Sequence, residues 1–546
     1  MANVPEKGSL QMMTALAIGL FFIIIGLPLW WKTTTTYRAY LPHGDIHTLA
    51  NEKLICHIPV SLIPCHQDFS PDQLKLTGAI FEDFLNHDVP VVPRFTIKYS
   101  VSSRSCSQRK LKHMTTESSF EIWDKALGVV NGVPFPDLQI YLLPESSWTQ
   151  DQDIYVGKYN TVFGLGEKES VNFRQQLKAI ASCLKKTVLN EQSLANAYVT
   201  SRGVRLSQVD PDTVRALQST SGYKLSFSLV NSDPSEVVAE WNIKQAVQDY
   251  LQPFLDKLKQ FADFSVSSQV LYYSQLPLTP KKVAEKNYFY IPTTSLPLLI
   301  NPMETKIGSD ITVHPTLNFL VFVPLAKHSP LYIHDEKGSI VDTNAFFSPR
   351  WGGIQVHNPP TLDENSTRPV EFMVNMKAAM EVYLSQLRLL IGIPQQKSSK
   401  DAFLAKPGQE AIREWELQTL LRKRTVENIA TATNTLYSLS RLLEKIHNMV
   451  IKDDVAEEVY GAVECLHKAH QFLKDGELSK AFHYSKKAII LAEKAFFDPS
   501  LLALLYFPQD QKFAIYIPLF LPVGIPVATS LFKAIKWWRR KKEKQS

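Results

Sequence analysis

Chemistry needs nucleophiles, acids, bases or metal ligands at workable spacing, and this sequence offers few. Asp151-Gln152-Asp153 sets two carboxylates two positions apart, the D-x-D shape that can hold a divalent cation and, through it, a nucleotide sugar. In a chain with 53 acidic residues such a run is ordinarily a solvated turn. Cys56-His57 and Cys65-His66 pair thiol with imidazole twice, but the short spacing between cysteines that a zinc site needs is missing. A strand or a small disulfide loop accounts for them better. A cysteine nucleophile requires a histidine partner, and no local signature singles one out. Gly164-Leu165-Gly166 lacks the third glycine of a dinucleotide loop and reads as a turn. His328 and His334 flank a short apolar run, where a strand-edge histidine is structural by default. No catalytic, cofactor-binding or metal-ligating residue is therefore assigned.

The elements that would position any chemistry lie between two apolar runs. Residues 12–31 (MMTALAIGLFFIIIGLPLWW) and 513–532 (FAIYIPLFLPVGIPVATSLF) carry no charge, and each has about the 20 residues an α-helix needs to cross a hydrocarbon core. A cleaved signal peptide competes for the first run, but KTTTTYRAY follows it where a small-residue cleavage site would stand, so an uncleaved anchor is expected. Lys533, Lys536, Arg539, Arg540, Lys541, Lys542 and Lys544 follow the second run, and such an excess of bases stays cytosolic. Two spans force both ends to one side, so residues 1–11 and the basic tail 533–546 are expected in the cytosol and the middle in the lumen. Pro518, Pro522 and Pro526 recur every four residues, so they share one helix face and each removes a hydrogen bond to the carbonyl four back. Neighbouring helices, waters or local unwinding must repair those carbonyls, which makes intramembrane packing the expectation and a merely kinked anchor the alternative.

The formal charge is +6, and the tail from Lys533, with seven bases and one acid, already accounts for +6. Everything upstream is neutral, so no nucleic-acid footprint is supported. All five cysteines lie between the apolar runs, where a lumen would permit disulfides, and the odd number leaves one unpaired or joined to another chain. Asn365-Ser366-Thr367 is the one N-x-S/T sequon, and Lys542 and Lys544 resemble a dilysine retrieval signal as much as a stop-transfer flank.

Residues 32–371 alternate β-rich runs with helical ones, which predicts an α/β region with a mixed sheet and flanking helices. LICHIPVSLI, VVPRFTIKYSV, DLQIYLL, GYKLSFSLVN, FSVSSQVLYY, HPTLNFLVFVP, SPLYIHD and PRWGGIQVHN are the predicted strands; PDQLKLTGAIFEDFLNH and VNFRQQLKAIASCLKKTVLN are helices between them. Residues 372–512 are almost continuously helical in pattern and end in the approach to the second span. Val426, Ile429, Ala430, Thr433, Leu436, Leu439, Leu443 and Ile446 trace one apolar face of the longest helix.

Four long stretches carry a family resemblance: LPLWWKTTTTYRAYLP after the first span, HSPLYIHDEKGSIVDTNAFFSPRWGGIQV, VENIATATNTLYSLSRLLEKIHNMVIKDDVAEEVYGAV, and AFFDPSLLALLYFPQDQKFAIYIPLFLP entering the second. They are similar to the PIG-S family, the class S subunits of the glycosylphosphatidylinositol (GPI) transamidase of the endoplasmic reticulum. The resemblance is weakest over residues 56–210. It implies a non-catalytic membrane subunit, without cofactor, working beside a caspase-like catalytic subunit (PIG-K), PIG-T, PIG-U and a Gaa-type subunit, with membrane lipid, glycolipid and precursor proteins as further contacts. The implied complex replaces a C-terminal signal by a GPI anchor, and the attacking thiol belongs to the caspase-like partner. The competing class of function is a doubly anchored lumenal glycosyltransferase using Asp151 and Asp153.

Overall fold

Local sequence sets where the elements begin and stop. Ser70 accepts a hydrogen bond from the Gln73 amide while the Gln73 side chain accepts from the Ser70 amide, and Pro71 opens the helix Pro71–Asn86. Asn375 caps the helix Met376–Ile391, which ends at Gly392 in the left-handed conformation, φ 93°. The computed structural model describes residues 7–34, 37–65, 69–106, 120–130, 133–144, 148, 152–166, 172–203, 222–283, 286–308, 314–360, 368–396, 402–446, 449–502 and 509–543. The chain falls into two units: Glu52–Ala430 with Lys468–Lys486, and Met1–Asn51 with Thr431–His467 and Lys487–Ser546.

The first unit holds the sheets. Among the described residues its six-stranded sheet runs Ala402–Leu404, Ile154–Val156, Thr161–Leu165, Leu138–Leu143, Leu54–Pro64 and Phe95–Ser103 in spatial order. Leu54–Pro64 is paired parallel on both sides, and Ile154–Val156 is antiparallel to its inner neighbour, so the sheet is mixed as its alternating sequence predicts. A five-stranded sheet follows in the order Asp263–Tyr272, Gly222–Asn231, Thr316–Val323, Gly352–Val356 and Ala345–Ser348, parallel except for the last. Tyr223, Leu225, Phe227, Leu229, Leu317, Phe319 and Val321 bury one face of it under the Met376–Ile391 helix and the Gln252–Leu258 helix.

Two sequence expectations change here. Gly164 and Leu165 end the strand Thr161–Leu165 and do not form a turn; a Cβ on Gly164 would stand 2.4 Å from Ile180 Cδ1, so the glycine is where a helix packs down on the sheet. Ala402–Leu404, within the helical stretch, pairs with Ile154–Val156 as an edge strand. Three residues are too few to show a period of two, which hid them in the pattern.

The second unit is helical. It takes the later part of the Glu414–Lys445 helix, and Leu436, Leu439 and Leu443 of the predicted apolar face are buried in it. Residues 12–31 are divided between the helix Lys7–Phe21, a π-helical turn Phe22–Gly26 and the helix Leu27–Thr34. Residues 513–532 lie in the helix Gln509–Glu543, with Pro518, Pro522 and Pro526 inside it. Among the described residues no helix is long and apolar enough to cross a membrane. The N-terminal helix rests against the C-terminal one at Gly19, where a Cβ would meet Val527 Cγ1 at 3.5 Å and Leu531 Cδ1 at 3.7 Å.

Candidate functional site

The residues with chemical potential are dispersed. Cys56 is fully buried in its strand; burial pushes its thiol up to about 11, against a smaller opposing pull from Arg422. A thiol held protonated in the core is not a nucleophile at neutral pH. Its neighbour His57 shares a 2.8 Å hydrogen bond with Ser100 on the next strand. Cys65 forms a disulfide with Cys106, while Cys183 and Cys465 are in no disulfide. His328 lies against Phe289 and His334 stacks on Tyr290, both as ring packing. Among the described residues no group of three His, Cys, Asp or Glu is placed to hold a metal. Asp153 gives its backbone carbonyl to Leu165, whereas Asp151, His66, Asn365 and Lys544 lie outside the described residues. Lys542 falls in the last turns of the C-terminal helix, and Pro518, Pro522 and Pro526 are exposed along it.

Where charge does converge, it binds the sheet unit together. Glu416 accepts from Arg388 Nη2 at 2.8 Å, from Arg413 Nη1 at 2.7 Å and from the Arg413 amide at 2.8 Å, with its own side chain only 3% exposed. Arg413 also donates to the Ala405 carbonyl at 2.5 Å, just past the edge strand of the first sheet, while Arg388 sits on the helix covering the second. Two cations around one carboxylate suit a desolvated site only because the hydrogen bonds are nearly complete. Next to them Lys158 pairs with Glu410 at 2.8 Å, and Lys257 reaches Glu410 at 3.5 Å and Glu414 at 2.5 Å. Burial alone would raise the Glu410 carboxyl, but Lys158 and Lys257 hold it below its ordinary value. Trp415 Nε1 donates to the Gly157 carbonyl at 3.0 Å. Asp124, raised by burial, collects the Thr161 hydroxyl at 2.5 Å and the amides of Lys158 and Tyr159. The arrangement is a rivet between two sheets. The sequence reading missed it because charges at i, i+3 look like a solvated helix face; Arg413 and Glu416 carry that spacing, but only packing shows them buried.

The second unit has its own tie. Tyr37 donates to Asp453 Oδ1 at 2.7 Å, and Arg38 Nη2 donates to the Leu443 carbonyl at 2.7 Å. Arg38 thus satisfies an orphan carbonyl at the C-terminal end of the long helix, where a cation also suits the helix dipole. Backbone bonds from Ala39 to Ile451 and from Ile451 to Tyr37 close the same contact. The segment leaving the first apolar run is thereby stitched to the helical layer.

With this geometry in hand, similarity to known proteins becomes specific. A family model described as "Phosphatidylinositol-glycan biosynthesis class S protein" matches residues 17–541. A Bos taurus protein named GPI-anchor transamidase component PIGS is 41% identical over 540 residues, covering 96% of this chain and 96% of its own. Its Homo sapiens counterpart of the same name is 41% identical over 95% of this chain and 96% of its own. A Schizosaccharomyces pombe protein named GPI transamidase component PIG-S homolog is 26% identical over 98% of this chain and 85% of its own. The match takes in most of both units and of the runs at either end, and the chain belongs to the PIG-S family.

Proposed function

We propose that the chain is a non-catalytic subunit of a GPI transamidase in the endoplasmic reticulum membrane, supporting assembly and substrate presentation while another subunit supplies the nucleophile. The observation that carries this is full-length similarity to proteins named as components of that transamidase, at 41% identity over 96% of the chain. Catalysis can gain from such a subunit without added chemistry, because holding catalyst and substrate in orientation removes an entropic barrier. The expected companions are a caspase-like subunit (PIG-K), PIG-T, PIG-U and a Gaa-type subunit. The complex would exchange a C-terminal signal peptide for a preformed GPI anchor.

The two-span topology belongs to this proposal. Leu16, Ile18, Phe21 and Ile24 of the first run, and Ile517, Leu521, Ile525 and Phe532 of the second, are exposed. Paired helices with that surface suit hydrocarbon and not water. Trp31, Trp537 and Trp538 are exposed near the ends, where interfacial rings are favoured. The Cys65–Cys106 disulfide fits an oxidising lumen for the body between the runs, with both termini cytosolic. Pro518, Pro522 and Pro526 then present an open face to neighbouring helices.

Purification of the tagged protein in mild detergent, followed by identification of its companions, tests the reading. A caspase-like protease and the other subunits should co-purify, and charges at Leu504 and Leu505, outside the described residues, should weaken that. Recovery of the chain alone, with an activity of its own, would overturn it. Asp151→Ala with Asp153→Ala should leave the assembled complex active; loss of activity in an intact complex would favour the transferase. A glycan on Asn365 would place residues 32–512 in the lumen, and replacing Lys542 and Lys544 tests retrieval.

A further inference from the structure

Parallel sheets ordinarily bury apolar residues on both faces, because helices or a second layer cover each side. The five-stranded sheet obeys this on one face only. Opposite the buried Leu225, Phe227, Leu317 and Phe319, the same strands present Lys224, Ser226 and Ser228, with Thr316 and Asn318 on the next strand and Ser267 and Gln269 on the edge strand. Register aligns them: Ser267, Ser226 and Asn318 form one row across three strands. Farther along, the same face turns apolar at Val230, Leu320, Phe322 and Val356, and there a separate layer covers it through Leu296, Met303 and Ile333. The polar rows stop where that cover begins.

Over those rows lies a cleft of about 330 Å³, bounded on one side by Glu304, Ile307 and Gly308; ligand pockets span about 300–1,000 Å³. Gln269 is held in place, donating at 3.1 Å to both Ser228 Oγ and the Ile307 carbonyl. Ser226 and Asn318 are each only 7% exposed, and among the described residues neither side chain makes a hydrogen bond. Their polar atoms face the cleft and are free to take up a ligand's hydrogen bonds. Hydroxyl and amide groups both donate and accept, which matches ligand hydroxyls that do the same. Among the described residues the charged side chains at the rim are Lys224 and Glu304, with the His314 imidazole beside them, so that lining favours no net ligand charge. The cleft lies over the starts of the strands and not outside their carboxyl ends, where nucleotides bind in open α/β sheets.

We propose that this cleft binds a short, uncharged saccharide, with Ser226, Ser267 and Asn318 supplying the hydrogen bonds. The same chemistry could come from a protein-linked glycan or from the glycan of a lipid. The full-length protein in a detergent without sugar head groups is titrated calorimetrically with chitobiose, mannobiose and inorganic phosphate. Saturable binding of a disaccharide is expected. Chitobiose bound in preference to mannobiose would indicate the core of a protein-linked glycan, and the reverse preference a mannose arm, which protein-linked and lipid-linked glycans both carry. Asn318→Val should weaken binding by about tenfold, the loss of one hydrogen bond worth about 1.4 kcal/mol, and should not lower the melting temperature, because among the described residues the amide has no protein partner. Ser267→Trp, which fills the cleft from the edge strand, should abolish binding. No saccharide binding up to about 10 mM, tenfold above a millimolar Kd, would overturn the proposal. So would phosphate binding alone, or saccharide binding untouched by both substitutions. None of these readouts needs the transamidase, so they stand apart from the assembly experiment.

Discussion

Glu416 is worth more to this molecule than any of its exposed acids, because two buried guanidinium groups depend on it. Glu416→Gln would leave both cations short of a counter-charge, and unfolding experiments should show a loss of about 3–5 kcal/mol. The same substitution at exposed Glu371 should cost almost nothing. Cys56 makes a different prediction. An unfolded thiol ionises near about 8.5, and the native one is pushed up to about 11 by burial. Its contribution to stability is therefore complete below the unfolded value and is lost as pH rises toward the native one. Native alkylation at pH about 8 should spare Cys56, since the thiolate is the reactive form, and peptide mass spectrometry after unfolding should find it modified. These individual roles were hidden in the sequence, where an acid in a charged helix and a cysteine before a histidine both carry several meanings.

At the scale of elements, glycine and arginine decide contacts that hydrophobic patterning leaves open. Gly164→Val would push a side chain into Ile180 on the helix Phe173–Cys183, and overpacking of that kind should cost about 1–3 kcal/mol by thermal unfolding. Arg38→Ala should uncap the long helix and cost about 1–3 kcal/mol, seen as faster amide exchange near Leu443. Arg38→Lys should recover only part, since one ammonium cannot reproduce the planar fork. Element existence was legible: the strands Leu54–Pro64 and Gly222–Asn231 and the helix Met376–Ile391 lie where their periods and caps put them. Short elements were not, as Ala402–Leu404 shows, because three residues satisfy any period.

For the whole molecule, the disulfide is the one covalent cross-link among the described residues, closing a separation of 41 residues in the first unit. Replacing Cys65 and Cys106 by serine, or adding reductant, should lower stability by about 3–4 kcal/mol on loop-closure grounds; an unchanged melting temperature would mean that the bridge constrains nothing. The sequence by itself determined the uncharged runs near both ends, the basic tail, the neutral interior, the α/β-then-helical order and the family. The family rests on long matching stretches; the other properties follow from composition and local period, which need no partner in space. Tertiary structure alone decided which cysteines pair, which charges are buried around Glu416, that Arg38 serves a helix about 400 residues away, and that one half-face of the five-stranded sheet gathers polar side chains along a cleft. Each of those depends on residues far apart in sequence meeting out of water, where a hydrogen bond made or missed carries an energy that no local pattern records.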